Sequence, residues 1–460
     1  MRELFNNNGK LVALMGSLFA GIIAVTGVLA VFLGDIEYSS LLAADSSSQS
    51  QSAPDPDDGS SGSEIPLPAE ENDPGDKPSQ EEPPVIYTYN KPSEMRGVWL
   101  IPGQDFLTGD SSEEKVKAEL DTAISKAAGM NLNTVILQTA GQNGVIYNSK
   151  NLPALTTFFD PLDYAISQAR AQGMYVYCIY NVMYVGDGEN MGRATGMDAA
   201  TMDFLREEAG DFVQKYHPDG LFLDEYYNEE TTASYASYLA QGGGIGYQNY
   251  MRQVSQTALD TVLTTIRDKA PGMQLGLLTD AVWANKSQNE AGSNTSATWT
   301  VLANGNTDVK AMVEAKKFDF VGVKAYGATG DGVTPFDVVT AWWGKLAQSA
   351  GAPMYVVHAA DRMGSSHTGW SANTEMVRQL DNAHKVDGYS GSAFNSLAAL
   401  LANPGGATDN ILKYLNDQNS AQFILTELKL TKPEQTTYTT NEASVIFQGA
   451  SDPTNKVTLN

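Results

Sequence analysis

Asp219-Gly220-Leu221-Phe222-Leu223-Asp224-Glu225-Tyr226-Tyr227 is an apolar run that ends in two adjacent carboxylates. A buried strand has no structural need for ionisable groups at its end, and desolvating them is costly unless they are paired or hydrogen-bonded. The run therefore reads as a strand, Gly220 to Tyr226, that delivers chemistry to its C-terminal end. Working outward, similar short β-rich runs recur upstream at Met95 to Ile101, Asn133 to Thr139 and Met174 to Val182. Downstream they recur at Met273 to Trp283, Phe318 to Tyr326, Pro353 to Ala360 and Gly388 to Phe394. Amphipathic segments lie between them, among them Glu113 to Gly129, Ala199 to Tyr216, Tyr247 to Ala270, Phe336 to Ala350 and Asn373 to His384. Strands that each lead into a helix, repeated around this count, predict an α/β fold of the (β/α)8 TIM-barrel type. A doubly wound sheet shares the alternation, but the glycine-rich first turn it commonly carries is absent after Ile101.

Barrel sites are built where strands end and loops begin, so the strand ends say where to look. Around the ring they offer Gln138, Tyr180 with Asn181 and Tyr184, Asp224 to Tyr227, and Asp280 with Trp283 and Asn285. Lys324 with Tyr326, Asp361 with Arg362, and Asn395 complete it. Aromatic faces beside carboxylates and amides suit a sugar, whose ring stacks while its hydroxyls take hydrogen bonds. Glu225 is expected to be a general acid/base, its pKa raised by Asp224 and the tyrosines, with Asp224 orienting or stabilising charge. Glycoside hydrolysis needs a second carboxylate, for which Asp280 and Asp361 are the candidates. The plainer alternative is that one acid of the pair caps a helix or pairs with Lys324 or Arg96.

Composition narrows the classes further. The chain has 460 residues, 42% hydrophobic and 18% charged, with a net charge of −25. That is globular composition, and the acidity argues against a nucleic-acid partner, which requires clustered Lys and Arg. One cysteine excludes an internal disulfide, and four histidines without metal-ligand spacing argue against a metal site. No metal or organic cofactor is expected. Cys178 reads as a small buried hydrophobe, His358 as a mouth donor or a satisfied core histidine, and Trp342-Trp343 as outer-ring packing. Gly242-Gly243-Gly244 lacks the Lys-Ser/Thr of a phosphate loop and reads as a flexible connection.

Residues 11–33 carry no charge and, as a helix, would span roughly 34 Å, enough for a bilayer core. Arg2 and Lys10 precede them, which places the short N-terminal tail inside and the rest outside. A cleaved signal peptide is the competing reading, kept open by Ala43-Ala44. The following Pro-, Ser- and acid-rich stretch reads as a self-repelling tether. The expected organisation is 1–34 tail and anchor, 35–90 linker, 91–420 barrel, and 421–460 the start of a β-rich, immunoglobulin-like domain.

Glu94-Met95-Arg96-Gly97-Val98-Trp99, Asn133-Thr134-Val135 with Gln138, Asn181, the 219–226 run, and Trp283 with Asn285 resemble the bacterial glycosyl hydrolase-like family 10 proteins. The resemblance covers roughly residues 91–425 and is sharpest at the first and fourth strands. It implies a cell-envelope glycosidase-like barrel with its catalytic carboxylate at the fourth strand. The expected substrate contacts are Arg96, Trp99, Gln138, Tyr180, Asn181, Tyr226, Trp283, Asn285, Lys324, Tyr326 and Asn395. Against the family pattern, the second acid is Glu225, and arginines usual after the second and third strands align with Ala140 and Tyr184. The basic position after the fifth strand is Ala284, and a Gln and a Trp near the sixth appear as Lys324 and Gly327. Lost arginines weaken the case for an anionic ligand.

The expected activity is cleavage of a cell-wall polysaccharide, peptidoglycan glycan strands favoured, by a membrane-tethered extracellular enzyme. A non-catalytic carbohydrate-binding or scaffold protein on the same fold is the alternative. Substrate-assisted hydrolysis, with roles for Glu225, Asp224 and Tyr326, is a third reading.

Overall fold

The computed structural model describes residues 87–425 apart from 110, 111, 142 and 157, with side chains as far as 417. Eight strands form a closed parallel barrel in chain order: β1 Met95–Leu100, β2 Thr134–Gln138, β3 Tyr175–Asn181, β4 Gly220–Asp224, β5 Gln274–Asp280, β6 Phe320–Lys324, β7 Met354–Ala359 and β8 Tyr389–Asn395. Closure runs through β1 and β8, with Met95 opposite Gly391 and Val98 opposite Phe394. The expected barrel is thus observed, with three strands ending two or three residues earlier than the apolar runs suggested: at Asp224, Asp280 and Lys324. In the first of these, Glu225 adopts a left-handed backbone, φ 51°, which takes the chain off the ladder.

Successive strand residues point to opposite faces, here the barrel interior and the helix layer. The interior is filled by Tyr177, Phe222, Phe320 and Tyr355, whose neighbouring ring centroids lie 4.9–6.4 Å apart. Gly276 and Gly322 make room for this cluster: a Cβ on Gly276 would strike the Phe320 ring, and one on Gly322 the Phe222 ring. Outside, the helix Glu113–Gly129 buries Val116, Leu120, Ala123, Ile124 and Ala127 along one stripe, with Glu113 and Glu114 at its N-terminus and Lys126 in its last turn. The helix Phe336–Ala350 carries the tryptophan pair. Both indoles donate to backbone carbonyls, Trp343 to Ala281 at 2.8 Å and Trp342 to Ala291 at 2.9 Å, so their expected packing role holds.

Cys178 is buried on the outward face of β3, and burial pushes its thiol well above the ordinary range. His358 faces the helix layer too, stacked between Phe336 and Phe394. Its ring nitrogens meet Gln379 Oε1 at 3.0 Å and Ser392 Oγ at 2.8 Å, which makes it the satisfied core histidine. Gly243 and Gly244 have φ 57° and 87°, so that loop uses glycine for left-handed geometry.

The expected anchor at 11–33 and the linker lie outside the described residues. Among the described residues, no helix is long and apolar enough to cross a membrane. The last helix, Ala407–Leu425, runs through the domain boundary expected at 421, and the strands expected beyond it lie outside the described residues.

Candidate active site

The two-residue alternation that puts Phe222 inside also puts Asp224 inside, one layer nearer the C-terminal mouth. The same parity brings Trp99, Gln138, Asn181, Asp280, Lys324 and Asn395 into that layer. Register then places Asn181 opposite Asp224, and Asp280 opposite Lys324.

At its centre, the Lys324 ammonium donates to Asp224 Oδ1 at 3.0 Å, lies 2.8 Å from its Oδ2, and lies 3.6 Å from Asp280. Two carboxylates reached by one ammonium at 2.8 and 3.6 Å are no more than roughly 6.4 Å apart at their nearest oxygens, within the reach of a glycosidase acid pair. Burial opposes the charge on Lys324, but Asp224 and then Asp280 outweigh it and hold the lysine well above its ordinary range. Burial raises the Asp280 carboxyl; Lys324 pulls it back, and the nearby Asp224 charge adds to the rise. Asp280 keeps 38% of its side-chain exposure, whereas Asp224 keeps 9%. Behind them, the Tyr227 hydroxyl accepts the Asp280 backbone N–H at 3.1 Å. The Tyr226 hydroxyl donates to Tyr227 at 3.4 Å. Tyr326 accepts from the Asn395 amide at 3.0 Å, and burial pushes its hydroxyl up to about 12.

Glu225 sits in a different environment from the one expected. Its neighbour is a guanidinium: Arg193 pairs with its carboxylate and donates also to the carbonyls of Glu225 and Tyr227. These contacts brace the left-handed turn at Glu225. Arg193 was not singled out from the sequence. It comes from a short antiparallel hairpin, Tyr184–Gly186 with Met191–Arg193, in which Arg193 stands opposite Tyr184. The guanidinium that the sequence lacks after β3 is therefore returned from across a turn. The signal for it was Asp187-Gly188 between two short β-prone runs.

Several expected site residues are committed elsewhere. Tyr180 has the wrong parity and packs edge-on against Phe212 in the helix layer, centroids 5.3 Å apart. Arg96 lies at the N-terminal end of β1 and donates from Nε to the Asn131 carbonyl at 2.9 Å, on the opposite face of the barrel from the carboxylates. Trp283 donates to Asp308 at 3.1 Å and stacks on Trp342. Asn285 clamps its own loop: its amide donates to Gln288 and to the Ala297 carbonyl, and its oxygen accepts from Thr295 and Ala297. Tyr226 is fully buried and so supports the site from behind. Asp361 is exposed on a 3-10 turn and makes no hydrogen bond or ion pair among the described residues, so it does not join the cluster. Asp280 is the second carboxylate the geometry brings to Asp224. Among the described residues, no group of three or more His, Cys, Asp or Glu side chains is arranged to hold a metal ion.

A cavity of about 320 Å³ opens beside Asp224 and Glu225, walled by Trp99, Gln138, Asn181 and Tyr184. Next to Asp224, which lines this cavity, stands Asp280, whose carboxyl is raised by burial, and a raised acid beside a second carboxylate is equipped for proton transfer to a leaving group.

No protein-family model matches the chain. It is similar to the glycosyl hydrolase DigH of Escherichia coli strain K12, 21% identical over 376 residues that span 68% of this chain and 85% of that protein. It is also similar to the glycosyl hydrolase YngK of Bacillus subtilis strain 168, 24% identical over 268 residues that span 56% of this chain and 52% of that protein. Among solved structures, the glycoside hydrolase domain of PgaB (BpsB) from Bordetella bronchiseptica aligns with 69% of this chain and 97% of its own, at TM-score 0.48 and 15% identity.

Proposed function

We infer that the chain is a glycoside hydrolase and that Asp280 and Asp224 carry its chemistry. The observation that carries the reading is the ammonium of Lys324 set between two carboxylates at the barrel mouth. Asp280, partly exposed and raised by burial, is the general acid that protonates the leaving glycosidic oxygen. Asp224, oriented by Lys324, attacks the anomeric carbon or stabilises the positive charge that develops there. In the second half of the reaction, Asp280 takes a proton from the incoming water as the water oxygen bonds the anomeric carbon and releases the Asp224 carboxylate. Glu225 is a braced wall of the cavity beside these two.

The finer reading is an envelope polysaccharide substrate, peptidoglycan glycan strands favoured, cut by an enzyme tethered through residues 11–33 with its barrel outside the cell. The motifs that resemble glycosyl hydrolase-like family 10 support the substrate, the names of the two relatives support the activity, and the uncharged N-terminal stretch supports the tether. One observation favours a glycan-binding protein instead: Asp224, Asp280 and Glu225 each face a cation.

The test is reducing-end release from purified peptidoglycan, with and without its stem peptides, by the full chain and its Asp224→Asn variant. Release by the parent that the variant loses is the expected result. Retention on the glycan without release by either protein would establish the binding protein.

A further inference from the structure

Four polar residues line the cavity beside Asp224, and their hydrogen-bonding capacity is largely unspent. The Trp99 side chain is 6% exposed, and its indole N–H is buried without an acceptor. Asn181 makes no side-chain hydrogen bond among the described residues. Gln138 donates one N–H to the Ala140 carbonyl at 3.0 Å, which leaves its oxygen available. Tyr184 is half-buried at the rim. Buried donors without partners are rare in folded proteins, and the Trp99 indole belongs to the wall of this cavity.

All four groups are uncharged. The two charged side chains lining the cavity, Asp224 and Glu225, are acids, and the cations near them are occupied. Lys324 is spent on Asp224 and Asp280, and Arg193 on Glu225 and two backbone carbonyls. An acidic substituent in this cavity would meet carboxylates without a free counter-charge, whereas hydroxyl or acetamido groups would meet matched donors and acceptors. The volume, about 320 Å³, is at the small end of ligand pockets, which run from roughly 300 to 1,000 Å³.

We propose that this cavity is a sugar subsite that takes an uncharged hexopyranose or N-acetylhexosamine ring, held by Trp99 and Asn181, and rejects acidic sugars. The proposal rests on the glycosidase reading and adds the substrate class at one position. On a mixed glycan such as peptidoglycan, it means that the sugar without a carboxylate occupies this position during cleavage.

Binding separates the two readings. Calorimetric titration of the full chain in detergent with chitotetraose, cellotetraose and tetragalacturonate is expected to give saturable binding of at least one uncharged probe, with the uronate at least tenfold weaker. Trp99→Phe keeps a ring and removes the N–H; Asn181→Ala removes the amide. Each is expected to weaken the uncharged probe about tenfold, a loss of about 1.4 kcal/mol, with an unchanged circular dichroism spectrum. Binding that follows this pattern, with no reducing-end release from peptidoglycan or from the bound probe, would overturn the glycosidase reading alone. Equal binding of the uronate, no saturable binding of any probe, or full affinity in both folded variants would overturn the subsite.

Discussion

Replacing Lys324 with methionine tests whether the cluster at the barrel mouth is held together as described. The ammonium is 13% exposed and touches Asp224, itself 9% exposed, at 2.8 Å. Surface ion pairs contribute about 0–1 kcal/mol, but removing one partner of a buried pair costs about 3–5 kcal/mol because the other charge stays behind. Lys324→Met strands Asp224 and leaves Asp280 beside it, so the upper range applies near neutral pH. Without the ammonium that pulls it back, the Asp280 carboxyl rises further in the folded state, so the deficit shrinks as pH falls from 7 towards 5. Urea unfolding followed by circular dichroism at both pH values measures this. Adding Asp224→Asn and Asp280→Asn to Lys324→Met should recover most of the loss, since neutral amides need no counter-charge. A loss below about 1 kcal/mol, equal at both pH values, would instead make the contact no more than a surface pair.

Arg193→Ala should lower activity on any accepted glycan by at least tenfold with little change in stability, because it frees Glu225 and its left-handed turn at the cavity wall; Arg193→Lys, unable to reproduce the fork of contacts, should restore little. His358 is fully buried, and burial lowers it to about 4. Its contribution is therefore complete above its unfolded value near 6.5 and is lost as pH falls from there to about 4, a loss of roughly 3 kcal/mol. Unfolding measured across that window should show the slope in the parent and a flatter curve in His358→Gln. The nearest oxygens of Asp224 and Asp280 are no more than roughly 6.4 Å apart through their shared ammonium, under the roughly 6.5–9.5 Å of inverting enzymes, so proton NMR of the first-formed product should show retained anomeric configuration.

The barrel was legible because every strand is a short apolar run followed by an amphipathic segment, and the closed order of β1 to β8 follows the chain. The placement of the candidate residues that follow strand parity was legible as well: Asp224, Asp280, Lys324 and Asn395 all share the inward parity of the interior aromatics and stand at the C-terminal ends of their strands. What went astray was anything beyond simple alternation. Tyr180 stands one residue before Asn181 and for that reason faces the helices. Trp283 and Asn285 follow β5 in a loop whose hydrogen bonds consume them. Glu225 looks like the twin of Asp224 in sequence, but its left-handed backbone turns it to Arg193, a partner thirty-two residues upstream that no local pattern connects to it.

The assignment of the acid is the claim on which the mechanism turns, and it separates Asp280 from Glu225. Reducing-end release from peptidoglycan by Asp280→Asn, measured beside Glu225→Gln, tests it most directly. A loss of at least about a hundredfold is expected in the first variant, the size of a general-acid contribution, with measurable release by the second. Near-parental activity in Asp280→Asn, with activity abolished in a folded Glu225→Gln, would contradict it.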